Sequence, residues 1–120
     1  MTAAYWVLVT PLALFYLYAG GLKALRSREQ LLPMMAWVGS TPMPVVRALG
    51  AIEVLGAAGL VLPPLTGIAP AAAPAAAVGF VLLQVAATGV HLRRGDRRIG
   101  LNAALLLVAV ATAALATTWL

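Results

Sequence analysis

Apolar residues in this chain form long runs and seldom alternate with polar ones. A membrane-crossing helix needs about 20 mostly apolar residues. Four runs meet that length: Ala4–Leu22, Pro44–Leu62, Ile68–Leu92 and Ile99–Leu120. The first and fourth hold no charge; the second carries Arg47 near its start and Glu53 at its centre; the third ends in His91. The predicted architecture is all-α, a single integral membrane four-helix bundle occupying residues 1–120, with no room for an extramembrane domain. The first run is read as a retained helix. A cleaved leader would carry basic residues ahead of its apolar stretch, and here they follow it.

The segments between the runs support this division. Pro63-Pro64-Leu65-Thr66-Gly67 reads as a tight turn between spans two and three, and Arg94-Gly95-Asp96-Arg97 as another between three and four. Connections this short make spans two, three and four antiparallel neighbours. Pro11, Pro70 and Pro74 are expected to kink or reset helices near the ends away from these basic residues. The first connection, Lys23–Met43, is longer and mixes bases with Leu31, Leu32, Met34, Met35, Trp37 and Val38. It predicts a short interfacial helix with Trp37 at headgroup level.

Composition sharpens the picture. Residues of the set AVILMFWYC make up 63% of the chain and charged residues 9%, against about 25% charged in a soluble domain; mean hydropathy is +1.01. A soluble enzyme domain, a disordered tail and a nucleic-acid-binding module are excluded. The net charge of +5 arises from eight bases against three acids. Lys23, Arg26, Arg28 and Arg47 lie in or beside the first connection, and Arg93, Arg94, Arg97 and Arg98 in the third. Both connections share one side of a four-span protein, so the excess charge reports topology, with no nucleic-acid partner implied. The positive-inside rule places that side in the cytoplasm and both termini outside. There are no cysteines, so disulfides and thiolate metal sites are excluded. Met34, Met35 and Met43 are read as apolar interface residues, and no metal site is expected.

Charges inside a span cost about 2.5–3.5 kcal/mol each on insertion scales, so their positions carry information. Glu53 lies nine residues beyond Pro44, about 13 Å deep at 1.5 Å per residue. Gly50, Gly56 and Ala57 flank it at helical spacing and permit close approach of another helix. In span three, Gln84, Thr88 and His91 share a face, with Gln84 at the depth of Glu53; a Glu53–Gln84 hydrogen bond is expected. Tyr16, Gly20 and Lys23 form a third stripe in span one, and Asn102 flanks the turn into span four. Together Tyr16, Lys23, Arg47, Glu53, Gln84, Thr88, His91 and Asn102 outline one polar pocket open to the basic side. The competing reading treats Gln84, Thr88 and Asn102 as interhelical glue, at about 0.6 kcal/mol per contact, His91 as an ordinary interfacial residue, and Arg47 as snorkelling to phosphate.

Three stretches carry a resemblance. Residues 47–63, from Arg47-Ala48-Leu49-Gly50-Ala51-Ile52-Glu53 to Pro63, resemble the second-helix signature of the DoxX-like family. His91-Leu92-Arg93-Arg94-Gly95-Asp96 with Asn102 resembles that family's third turn, and Gly20-Gly21-Leu22-Lys23 the end of its first helix. The resemblance implies a small bacterial four-helix protein of the cytoplasmic membrane. It also implies a subunit or accessory factor near quinone-dependent respiratory oxidation, not catalytic alone, with quinone as the implied cofactor. The family supplies no settled role for Glu53, His91 or Asn102. A membrane protein partner or a homo-oligomer is expected, with the Gly50/Gly56/Gly59 surface as its seat.

Two other functions stand beside this one. A small proton-coupled transporter of the small multidrug resistance kind carries its glutamate in the first helix, where this chain has no acid, and many have balanced loop charge. A small membrane enzyme acting on a lipid would use Glu53 as general base with His91 or Tyr16 as acid. No Walker loop, dinucleotide fingerprint, GxSxG or HExxH occurs. The eight-to-none distribution of Lys and Arg makes orientation directly testable: reporter fusions at either terminus are expected to be active only outside the cytoplasm. A C-terminal fusion active only in the cytoplasm would overturn that orientation.

Overall fold

The computed structural model describes residues 2–95 and 100–119. Five α-helices follow one another: α1 (Thr2–Leu25), α2 (Arg28–Leu31), α3 (Met43–Thr66), α4 (Ala72–Arg93) and α5 (Gly100–Ala116). Short 3-10 turns cover Ala36–Ser40 and Thr117–Trp119. No strand occurs among the described residues. Among the described residues, four helices are long and apolar enough to cross a membrane, at Thr2–Leu25, Met43–Thr66, Ala72–Arg93 and Gly100–Trp119. The all-α four-helix bundle expected from the apolar runs is the observed fold.

The bundle is built from two helix pairs. α1 lies along α3, and α4 lies along α5; α3 with α4, and α1 with α5, close the ring. The α1–α3 pair is exceptionally close. A Cβ on Gly50 would stand 2.6 Å from the Gly20 carbonyl oxygen and 2.7 Å from the Ala24 nitrogen, and a Cβ on Gly20 would stand 2.7 Å from the Gly50 carbonyl oxygen. Two backbones in direct contact gain dispersion and need no apolar driving force, which is how helices associate in lipid. Gly56 and Gly59 seat α4, against the Phe80 ring and the Ala76 methyl. The glycines expected to receive a partner thus also meet helices of the same chain.

The pairs join at the end away from the basic residues. Tyr5 packs edge-on to Trp6 and Trp119, with centroids 5.4 and 5.6 Å away, and Val9, Leu12, Leu60, Ala73, Ala77 and Ala116 fill the space beneath. At this end the expected Pro63–Gly67 turn is instead helix. α3 continues through Pro63 and Pro64 to Thr66 and ends at Gly67, whose φ of 75° is the left-handed C-cap. Pro64 has no N–H for the Leu60 carbonyl four residues back. The buried Tyr5 hydroxyl donates to that carbonyl at 2.6 Å and replaces the lost bond. α4 starts correspondingly later than the expected Ile68: Ala69 takes a φ of 48°, Pro70 precedes the helix, and Pro74 falls in its first turn, where no N–H is needed. α1 runs unbroken through Pro11.

The predicted interfacial helix is two short pieces, α2 and the Ala36–Ser40 turn, separated at Pro33. Ser27 and Gln30 form a reciprocal capping box at the start of α2. Leu31, Val38 and Val46 bury together and fasten this strap to α3, and Arg28 Nη1 donates to the Val38 carbonyl at 2.6 Å. The expected turn at 94–97 lies partly outside the described residues; Gly95, within them, has a φ of 77°.

If the α1–α3 contact governs assembly, Gly50→Ala and Gly20→Ala should each lower the unfolding temperature in detergent, at a cost of about 1–3 kcal/mol for overpacking. Gly79→Ala, where an added Cβ meets nothing within 4 Å, should leave it unchanged or raise it. Equal losses at all three positions would contradict this account.

A polar cavity between the two helix pairs

Towards the basic end the helix pairs part. Contacts across the diagonal from α1 to α4 are made by Tyr16, which stacks on Phe80 with centroids 4.0 Å apart and accepts a hydrogen bond from Gln84 Nε2. Beyond them lies a cavity of about 840 Å³. Tyr16, Lys23, Glu53, Gln84, His91 and Asn102 all line it. Six residues read from the sequence as one polar group therefore surround one space. Arg94 and Thr41 also line it; the remaining walls are mostly apolar, with Phe15, Leu22, Leu49, Leu83 and Leu105 among them, and the strap covers the basic end with Met34, Met35 and Trp37.

The expected Glu53–Gln84 pairing is absent. Glu53 turns to α1, where Lys23 Nζ donates to its two carboxylate oxygens at 2.7 and 2.6 Å. The physical reason is charge: an ammonium satisfies a buried carboxylate better than an amide does, and the Gly20–Gly50 contact brings it within reach. The pair is well shielded, with side-chain exposures of 12% for Lys23 and 4% for Glu53. The Lys23 ammonium also stands 5.9 Å from the centre of the Trp37 ring, within cation–π range.

Arg47 is not on the cavity wall. Its Nη1 donates to the carbonyl of Lys23 at 2.8 Å and to that of Arg26. It thereby closes the C-terminal turn of α1, where the helix carbonyls are unpaired and a cation is favoured. The guanidinium thus holds the backbone of the residue whose side chain meets Glu53. Thr88 also lies off the wall. Arg94 Nη1 donates to Ser40 Oγ at 2.6 Å and ties the end of α4 to the strap; this link, and the strap's place over the cavity, were not part of the sequence reading.

Gln84 is buried, and its Oε1 has no hydrogen-bond partner. No set of three or more His, Cys, Asp or Glu side chains able to hold a metal ion occurs among the described residues.

The fold and cavity define a small multi-pass membrane protein with a polar chamber in one half of its bundle. The profile of the DoxX-like family matches residues 7–114, and the chain belongs to that family. Comparison with curated proteins gives no match, and comparison with solved structures gives none.

Removing one partner of a buried ion pair strands the other, at about 3–5 kcal/mol. Lys23→Met and Glu53→Leu should each destabilise the protein on that scale. The double variant should melt above either single one, because neither charge is then left alone. Losses that simply add would show that the two side chains do not depend on one another.

Proposed function

We propose that this protein is a quinone-binding subunit or accessory factor of a redox system in the bacterial cytoplasmic membrane, with the basic end and the strap in the cytoplasm. The observation that carries the reading is the arrangement of Tyr16, Lys23, Glu53, Gln84, His91 and Asn102 around one chamber whose remaining walls are mostly apolar. A quinone has a ring with polar oxygens and a long hydrocarbon tail. Sites for such ligands are mostly apolar with a few converging polar groups, and about 840 Å³ is ample for the head group.

The residues suit the two parts of the ligand differently. Two protons of the Lys23 ammonium go to Glu53, and an ammonium has three; the third serves a ligand oxygen. Asn102 and His91 provide polar contacts on the α4–α5 side, while Phe15, Leu83 and Leu105 face the apolar part of the ligand. A bound quinone supplies two-electron, two-proton carrier chemistry. The chain's own residues bind and orient it and shield it from water, and the electron donor belongs to a protein partner.

The reading is tested by extracting and weighing the lipids that the purified protein retains. Quinone should be enriched several-fold over bulk membrane lipid in the parent. His91→Ala and Asn102→Ala, which leave the Lys23–Glu53 pair untouched, should lose that enrichment. A parent with no enrichment, or equal retention in all three proteins, would overturn it.

A further inference from the structure

The cavity is roofed at its basic end and open at its sides. The strap forms the roof, with Met34, Met35 and Trp37. Tyr18 on α1, Val45 on α3, Val90 on α4 and Leu101 on α5 are on the cavity wall and are also exposed. On helices that cross a bilayer, exposed apolar side chains face lipid. The rim of the cavity is therefore continuous with the lipid-facing surface, and a lipid reaches it sideways, under the strap.

The charges on the wall do not balance. Lys23, Glu53 and Arg94 all line the cavity, and Lys23 and Glu53 neutralise each other at 2.6 Å. Among the described residues no carboxylate pairs with Arg94; Glu29, their other acid, is on α2 and off the wall. Arg94 Nη1 donates to the neutral Ser40 Oγ at 2.6 Å, and a guanidinium has five N–H donors. Arg28 and Arg47 differ in this respect, since each is directed at two backbone carbonyls. Arg94 caps the C-terminus of α4, where the span ends and lipid head groups begin.

A planar fork with unspent donors matches the oxygens of a phosphate, and basic pockets between membrane helices are suited to anionic head groups. A zwitterionic head group would bring an ammonium as well. The wall has no carboxylate left to receive it, because Glu53 is taken by Lys23. We propose that the strap end of the cavity holds the phosphate of an anionic phospholipid on Arg94, with the acyl chains passing through the side openings into the bilayer. This goes beyond the quinone reading and does not rest on it, since it leaves Lys23, Asn102 and the deeper wall unused.

The test places the full chain in nanodiscs of phosphatidylcholine with a minor share of phosphatidylglycerol. The lipids that stay bound after gentle extraction are weighed by mass spectrometry. Phosphatidylglycerol should be enriched about fivefold over its share of the disc, the factor that one basic residue contributes near an anionic lipid surface. Arg94→Gln should abolish the enrichment. Arg93→Gln removes the same charge one residue away and off the wall, and Ser40→Ala removes the hydrogen bond to the strap but keeps the guanidinium; both should retain it. No enrichment in the parent overturns the proposal. Equal losses in Arg93→Gln and Arg94→Gln overturn it as well, because diffuse surface charge would then suffice. A loss in Ser40→Ala equal to that in Arg94→Gln overturns the assignment to the guanidinium in favour of the strap's position. Loss of the enrichment in inorganic phosphate, but not in sodium chloride of the same ionic strength, overturns the choice of a lipid over a free anion. These discs contain no quinone, so none of the outcomes bears on that reading.

Discussion

Two glycines facing one another determine much of what this bundle can do. With Gly20 and Gly50 in contact, the α1 and α3 backbones approach until a methyl group on either would collide with the other helix's carbonyl oxygen. At that separation the Lys23 ammonium, one turn beyond Gly20, reaches both oxygens of Glu53, one turn beyond Gly50. A lone carboxylate in the middle of a span is costly; the glycine contact makes Glu53 half of a shielded pair. Arg47 holds the Lys23 carbonyl and so keeps the end of α1 in place beside α3. Backbone contact, ion pair and guanidinium cap act over one short stretch of the two helices and make them a single unit.

That unit shapes the rest of the molecule. Helices committed to each other this closely cannot also wrap around α4 and α5 along their whole length. The two pairs meet where side chains are available to fill the space, at Tyr5 with Trp119, Gly56 with Phe80, and Tyr16 with Phe80 and Gln84. Past Tyr16 they diverge, and the cavity is the gap between them. The strap is held at both sides of that gap. Its apolar residues bury against α3, and its Ser40 accepts from Arg94 at the end of α4.

The spans and the grouping of polar residues were legible in the sequence because each depends on a one-dimensional quantity. Run length identifies a helix that can cross lipid, and a spacing of three or four residues identifies its face. The choice of partner was not legible. Depth arithmetic put Glu53 and Gln84 level, but it says nothing about which helix lies on which side, and the carboxylate went to the ammonium across the glycine contact. The cap that Arg47 places on α1 was not legible either, because a snorkelling arginine and one capping a neighbouring helix have the same position in sequence. The Pro63-Pro64 pair was misread for a related reason. Two prolines end a helix unless the carbonyl they abandon finds another donor, and that donor, the Tyr5 hydroxyl, is 55 residues away in the chain.

Polar groups that merely hold helices together should consume one another's hydrogen-bonding capacity, since in a membrane interior any remainder is a cost. By that criterion the cavity lining divides in two. Lys23 and Glu53 match charge for charge, and Arg47 satisfies carbonyls that no helix N–H can reach. These contacts are sufficient to account for the α1–α3 pair. Gln84 is different. Its amide makes one bond to Tyr16 and keeps an acceptor over. A leucine or methionine there would pack against the same apolar neighbours without that cost. That remainder belongs to the Tyr16–Gln84 link that joins the two helix pairs beside the cavity.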